Sequence, residues 1–323
     1  METPAISRRG ALRLGFGACA CALCGSANAT TLQYELKATE IAEKTWGVFG
    51  SRDWFSFANG GNIVNTAFVE VPDGVVVIDT GPSRRYGEAL NDLIAATAPG
   101  KPVLRVFNTH HHPDHFLGNQ AFDAARIAAP QGVIDNVRAE GNAFTDNLYR
   151  LVGDWMRGTA PVAPMIAIDQ PNEDIGGRRF SYLALSGHTS SDFVLRDDAT
   201  GVLFAGDLAF LNRAPTTPHA DLAAWQAALA TLAATDRALL LPGHGPADAA
   251  GDALDQTRDY LSWLDGTIRD AVAKGLTENE AMALPIPPRF SALGVVRDEF
   301  IRSVTHLYAR VADETFLPVT VDR

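Results

Sequence analysis

The stretch FNTHHHPDHFLGN, residues 107–119, governs how the rest of the chain is read. It holds His110, His111, His112, Asp114 and His115 within six positions, and only four of the eight histidines lie elsewhere. Pro113 pushes His112 toward extended geometry, and alternate side chains of an extended segment share a side. His110 and His112 therefore reach one point, while His111 turns away to solvent or to a backbone partner. Asp114 and His115 follow the proline, where the chain turns toward a helix, and aim at a neighbouring point. Imidazole nitrogen with carboxylate oxygen is a donor set for zinc, and it also suits iron or manganese. Taken alone, such a loop is equally what a solvated surface loop with adventitious metal affinity looks like.

Three later segments change the balance. YLALSGHT (182–189), VLFAGD (202–207) and ALLLPGHG (238–245) each close an apolar strand with glycine and then a potential ligand: His188, Asp207 and His244. Glycine lets the backbone turn sharply where the strand ends, freeing the next side chain to face a shared cleft. Strand ends along one sheet edge are where ligands collect in open α/β architectures.

His110-x-His112-x-Asp114-His115, followed in order by His188, Asp207 and His244, resembles the metallo-β-lactamase superfamily, and VVVIDTG matches its upstream aspartate motif at Asp79. The motifs span residues 79–244. The longer wording FNTHHHPDHFLGNQAF is similar to an exported branch called quinoprotein relay system zinc metallohydrolases, or SoxH-like. The resemblance implies an α/β fold, a four-layer αβ/βα sandwich, with a site for two Zn2+ between the sheets. It implies that His110, His112 and His188 hold the first metal, that Asp114, His115 and His244 hold the second, and that Asp207 bridges them. β-Lactamases of the superfamily carry Cys or Ser at the step of Asp207; an Asp is typical of thioesterase-like, lactonase-like and dioxygenase relatives, which argues against β-lactam hydrolysis.

Two metals about 3.5–4 Å apart lower the pKa of a bridging water and make hydroxide available. The leading expectation is hydrolysis of a small ester, thioester, lactone or amide, with Asp114 orienting the nucleophile and protonating the leaving group. The alternatives are a mononuclear iron sulfur dioxygenase and a non-catalytic metal-binding accessory protein of a periplasmic dehydrogenase system. Asp79 either holds the outer nitrogen of a metal-bound histidine or caps the turn at Thr80-Gly81. Trp54, Phe55 and Phe57 lie in a glycine-bearing loop that reads as a lid over the cleft or as core packing. Arg213 pairs with a substrate carboxylate or with a surface acid. His219 reaches substrate or marks the start of a helix.

Around these motifs, short β-branched runs alternate with helical patterns, which argues for sheets covered by helices. The segment 248–323 is mostly helical. Leu254, Thr257, Leu261, Leu264 and Ile268 form an amphipathic stripe that stops at Gly275, and Thr277 to Glu280 is a capping-box pattern. Phe300, Val304, Leu307 and Val311 mark a last helix.

The first 29 residues read as an export signal, leaving residues 30–323 as a single domain. Arg8-Arg9 precedes a small apolar stretch, and Ala27-Asn28-Ala29 fits a small-x-small cleavage site. The paired arginines resemble the twin-arginine type, with a general secretory signal as the alternative and a lipid-anchored cysteine as a third option. A periplasmic location follows. Cys19, Cys21 and Cys24 all lie in this segment, so the mature chain would ligate metal through nitrogen and oxygen alone. Loss of Arg8, Arg9, Arg13 and Glu2 takes the net charge from −11 to −13. So acidic a surface repels phosphate backbones and disfavours nucleic acid as a partner. No apolar run after residue 30 is long enough to span a membrane. The partners expected are a small-molecule substrate and a periplasmic dehydrogenase.

Overall fold

Alternate residues of the central strands face two different cores, the period of two that a strand imposes. The computed structural model describes residues 32–316; the export signal read in residues 1–29 lies outside them. The described residues from Gln33 to Phe316 belong to one compact unit. Its first sheet comprises β1 (Thr39–Ala42), β2 (Thr45–Val48), β3 (Thr66–Val71), β4 (Gly74–Ile78), β5 (Val103–Phe107), β6 (Ile127–Ala129) and β7 (Ile166–Ala167), side by side in that order. The second comprises β8 (Asn172–Ile175), β9 (Arg178–Leu185), β10 (Asp192–Asp197), β11 (Val202–Phe210) and β12 (Leu239–His244), in the order β12-β11-β10-β9-β8. Strands β4 to β7 run parallel, as do β11 and β12; the remaining pairs are antiparallel.

Val69, Val76 and Ile78 of the first sheet meet Phe193, Leu195, Val202 and Phe204 of the second in a core between the sheets. Their neighbours Phe68, Val75 and Val77 face outward against Tyr86, Leu90 and Ile94 of α1 (Arg84–Thr97). On the far side, Val194 and Leu203 face α4 (Leu222–Ala234), α5 (Asp252–Ala273) and α7 (Val296–Thr315). The result is the expected four-layer αβ/βα sandwich with C-terminal helices. Because both faces of these strands are covered, they read as continuous apolar runs. Among the described residues, no helix is long and apolar enough to cross a membrane.

Local signals place the helix ends. The Ser83 hydroxyl accepts from Tyr86 N at 3.2 Å and starts α1. The Asp221 carboxylate takes the Ala223 and Ala224 amides at 3.0 Å and starts α4. α5 ends as the sequence indicates: Gly275 lies at φ 69°, its amide reaches Val272 O, and the Leu276 amide reaches Ala271 O, the pair of bonds that closes a helix on a left-handed residue. Thr277 and Glu280 form the capping box of α6 (Glu278–Met282). One detail differs from expectation. β11 does not end before Asp207 but runs on to Phe210. Gly206 adopts φ 52°, and its pairing with β12 shifts on both sides, so Asp207 stands at a bulge inside a continuing strand.

Arg178 of β9 locks the sheets together. Its guanidinium binds the buried Asp197 carboxylate through Nε at 2.7 Å and through a second nitrogen, and reaches Glu70 O of β3 at 3.3 Å. Burial favours the neutral acid at Asp197, but Arg178 and Thr200 outweigh it and hold the carboxyl below its ordinary value. The stabilisation is therefore complete above the ordinary carboxylate range and is lost as the pH falls through the folded value. Asp197→Ala is expected to cost about 2–3 kcal/mol in urea unfolding at neutral pH, less than fully enclosed pairs because Arg178 keeps some contact with water. The difference from wild type should shrink in acid; a constant difference down to pH 3 would contradict this assignment.

Candidate metal centre

Strand ends, and the bulge of β11 at Asp207, deliver seven donors to one edge of the sandwich. β5 stops at Phe107, and His112 is extended, at φ −70° and ψ 147°, before Pro113 opens the short helix α2 (Pro113–Phe116). Thr80 N and Asn108 Nδ2 bind the His115 carbonyl, and Asn119 ties Asn108 to Val162 O, so the loop is held from behind. His188 sits in the turn after β9, where Asp192 accepts the His188 and Thr189 amides, each at 3.0 Å. His244 ends β12. Asn65, which the sequence reading passed over, fixes that turn by donating to Pro242 O at 2.8 Å and Gly245 O at 2.7 Å. Gly243 is required by close approach: a Cβ there would lie 1.9 Å from Asp207 Oδ1.

His110, His112, His188 and Asp207 place one donor atom each within 4.8 Å of one another, and Asp114, His115 and His244 do the same. Asp207 lies between the groups. Its Oδ2 is 3.3 Å from Nε2 of His188, 3.3 Å from Nε2 of His244 and 3.9 Å from Nε2 of His110. Its Oδ1 is 3.1 Å from Nε2 of His115. Asp114 Oδ2 is 3.5 Å from Nε2 of His244 and 3.8 Å from Nε2 of His115. The outer nitrogens are held elsewhere: His115 Nδ1 by Asp79 Oδ2 at 2.7 Å, His244 Nδ1 by Ile63 O at 2.7 Å, and His110 Nδ1 beside Thr109 Oγ1 at 3.1 Å. Asp79 thus holds the outer nitrogen of His115, and it also accepts the Thr109 amide and hydroxyl at 2.8 and 2.7 Å.

The electrostatics suit cations. All seven donors are buried, and every ion-pair partner of Asp79, Asp114 and Asp207 among the described residues is an imidazole. Burial lowers the basicity of His110 and His112 and takes His188 down to about 3, leaving neutral rings with lone pairs to donate. Burial acts the same way on His115, but Asp207, Asp79 and Asp114 outweigh it and raise that ring well above its ordinary value. A point where three carboxylates outweigh burial is one that favours positive charge. His110 Nε2 is buried without a hydrogen-bond partner among the described residues, and His115 Nε2 and Asp207 Oδ1, although 3.1 Å apart, do not meet in hydrogen-bond geometry. Such atoms are costly unless something else satisfies them, and a metal pair fits this donor set.

A family profile described as "Metallo-beta-lactamase superfamily" matches residues 59–244, more than half of the chain. The chain belongs to the metallo-β-lactamase superfamily. Among curated relatives it is 24% identical to a linear primary-alkylsulfatase of Pseudomonas sp. (strain ATCC 19151) over 74% of this chain and 53% of that one. It is 26% identical to acyl-coenzyme A thioesterase MBLAC2 of Bos taurus over 64% of this chain and 81% of that one. Among solved structures, the sec-alkylsulfatase Pisa1 from Pseudomonas sp. superposes with TM-score 0.65 at 22% identity, covering 89% of this chain and 52% of that one. A metallo-β-lactamase from Pontibacter korlensis superposes with TM-score 0.57 at 23% identity, covering 71% and 99%. The chain spans about half the length of the alkylsulfatases it matches.

In this superfamily member a cavity of about 490 Å³ opens directly onto Asp114, Asp207 and His244. Trp54 and Phe55 line it, but Phe57 does not: the residue is 56% exposed, and its carbonyl accepts from Trp155 Nε1. A loop has no periodicity to say which of three aromatics turns inward. Arg213 lines the cavity but is neither a surface group nor a free cation. It is 2% exposed and meets buried Glu299 at 3.4 Å. His219 faces the cavity and lies 2.8 Å from His112. His111 is buried rather than exposed, turned from the donor groups toward Phe144, and burial lowers its pKa to about 4.

Several lining residues escaped the sequence reading. Phe144, Leu148 and Leu151 come from one stripe of α3 (Gln131–Val152), and Arg302 comes from α7. Arg302 donates to Thr216 Oγ1 at 2.7 Å and lies over the Trp54 ring at 5.4 Å. Asp79→Asn keeps the shape beside His115 but removes the carboxylate charge. It is expected to weaken metal binding about 10–100-fold in a competitive chelator titration. Unchanged affinity would show that Asp79 does not support the ligand.

Proposed function

We propose that this chain is a metal-dependent hydrolase, with two divalent ions, zinc in the first instance, that cleaves an ester-type bond on a small substrate carrying an apolar chain. The observation that carries this reading is Asp207, which sits between two donor groups and reaches both through its two carboxylate oxygens. Relatives named as an alkylsulfatase and an acyl-coenzyme A thioesterase, and a hydroxyacylglutathione hydrolase of Erythrobacter litoralis that is 27% identical over 41% of this chain, support it. His110, His112 and His188 would hold the first ion, Asp114, His115 and His244 the second, and Asp207 both. When bound, such a pair supplies Lewis acidity and makes a water acidic enough to lose a proton near neutral pH.

The chain's own groups supply the rest. Asp114 lies on the cavity floor beside His244 and His115; it takes the proton of the attacking water and returns it to the leaving group. Trp54, Phe55, Phe144, Leu148 and Leu151 form the apolar wall that receives the chain and keeps water from the floor. Arg302 stands in the same lining as a cation for a substrate's polar end. The wording of residues 107–122, with Arg8-Arg9 and Ala27-Asn28-Ala29, supports placing the enzyme in the exported quinoprotein-associated branch, working in the periplasm.

The test is a panel of carboxylic esters, thioesters, lactones and alkyl sulfates, each with short and longer chains. Turnover is expected on at least one apolar-chain substrate, lost on chelation and restored by zinc. Asp207→Ala should lower kcat/KM by on the order of a thousandfold or more. Asp114→Asn should lower kcat about 10²–10⁴-fold with metal content retained. No turnover at full metal occupancy would contradict the reading, as would oxygen consumption with a single iron per chain.

A further inference from the structure

We propose that His219 and Glu140 are positioning residues that turn His112 so that its Nδ1, not its Nε2, faces the first metal position; the proposal rests on the dinuclear reading above. A neutral imidazole offers a metal one nitrogen, and the bond made by the other decides which. His110, His115 and His244 are each engaged on the outside at Nδ1 and turn Nε2 inward. His112 is the reverse. Its Nδ1 lies 2.8 Å from Nε2 of His188, among the donors, and its Nε2 lies 2.8 Å from Nδ1 of His219.

The protons balance along this string. His112 donates from Nε2, His219 accepts at Nδ1, and the remaining N–H of His219, at Nε2, lies 3.4 Å from Glu140 Oε2 on α3, a charge contact rather than a hydrogen bond. That leaves a lone pair on His112 Nδ1. The other carboxylate oxygen of Glu140 lies 3.7 Å from Nε2 of His111. The loop carrying His219 is held from α7: Thr217 Oγ1 donates to Ser303 Oγ at 2.8 Å, and Arg310 donates to Ala220 O at 3.0 Å. A brace must itself be fixed to orient a ligand, and this one is. The string ends on the helix that supplies Phe144, Leu148 and Leu151 to the cavity wall, so the orientation of His112 is tied to the wall that receives the substrate.

Zinc affinity and stoichiometry, measured by chelator competition on the full chain, test this together with the visible spectrum of the cobalt-substituted protein. Wild type is expected to bind two ions. His219→Leu should weaken one of the two about 10–100-fold, shift the cobalt spectrum of that site and leave the apo-protein melting temperature unchanged. His219→Gln, which keeps a side-chain acceptor, should recover most of the affinity, and Glu140→Gln should show a smaller loss than His219→Leu. Equal affinity in wild type and His219→Leu would overturn the proposal. So would equal losses in the Leu and Gln variants accompanied by equal drops in apo-protein melting temperature, the signature of a merely structural role. A third zinc bound by wild type and lost in Glu140→Gln would also overturn it, making His111, His219 and Glu140 a cation site instead of a brace. Wild type binding fewer than two ions would sink the dinuclear reading itself, and the proposal with it.

Discussion

Asp207 places an ionised carboxylate where burial alone would protonate it or drive it out. His244, His115 and His188 reverse that and hold the group well below the ordinary carboxylate range. The surrounding backbone is shaped to allow the approach. Gly206 bends β11 into a bulge at φ 52°, and Gly243 leaves the space that Asp207 Oδ1 occupies. The donors around it come from both sheets, His110 to His115 from the end of β5 and His188 and His244 from β9 and β12. The site can exist only where the two sheets meet in this register, so the chemistry and the sandwich depend on one another.

The parts of this arrangement that could be read from sequence share a property: their signal is local. Four donors of the 110–115 cluster lie within six residues, and Pro113 sets the geometry of His112 from one position away. His188 and His244 were legible as a glycine and then a donor at the end of an apolar run. The strands showed themselves through β-branched content, and the caps at Gly275 and Thr277 through short-range turn chemistry. Even there the strand boundary at Asp207 was misplaced, because a bulge and a strand end look alike when only glycine marks them.

What stayed hidden depends on how elements dock. Helix α3 reads as polar, yet Glu140, Phe144, Leu148 and Leu151 recur at four-, four- and three-residue steps, a stripe that faces the site rather than a core. A stripe of mixed character does not say what it will meet. Arg302 follows Phe300 on the amphipathic α7, and without the packing of that helix it is indistinguishable from a solvated cation. Arg213 is the opposite case, a charge that looks exposed in sequence but is buried against Glu299, 86 residues away. The pairing of His112 with His219 spans 107 residues; no spacing rule reaches that far.

The most direct test of the account is anomalous diffraction at the zinc edge from crystals of the metal-loaded chain. The account predicts two peaks about 3.5–4 Å apart, one on each side of the Asp207 carboxylate and both within bonding distance of it. Peaks elsewhere, or a single peak that Asp207 does not touch, would contradict it.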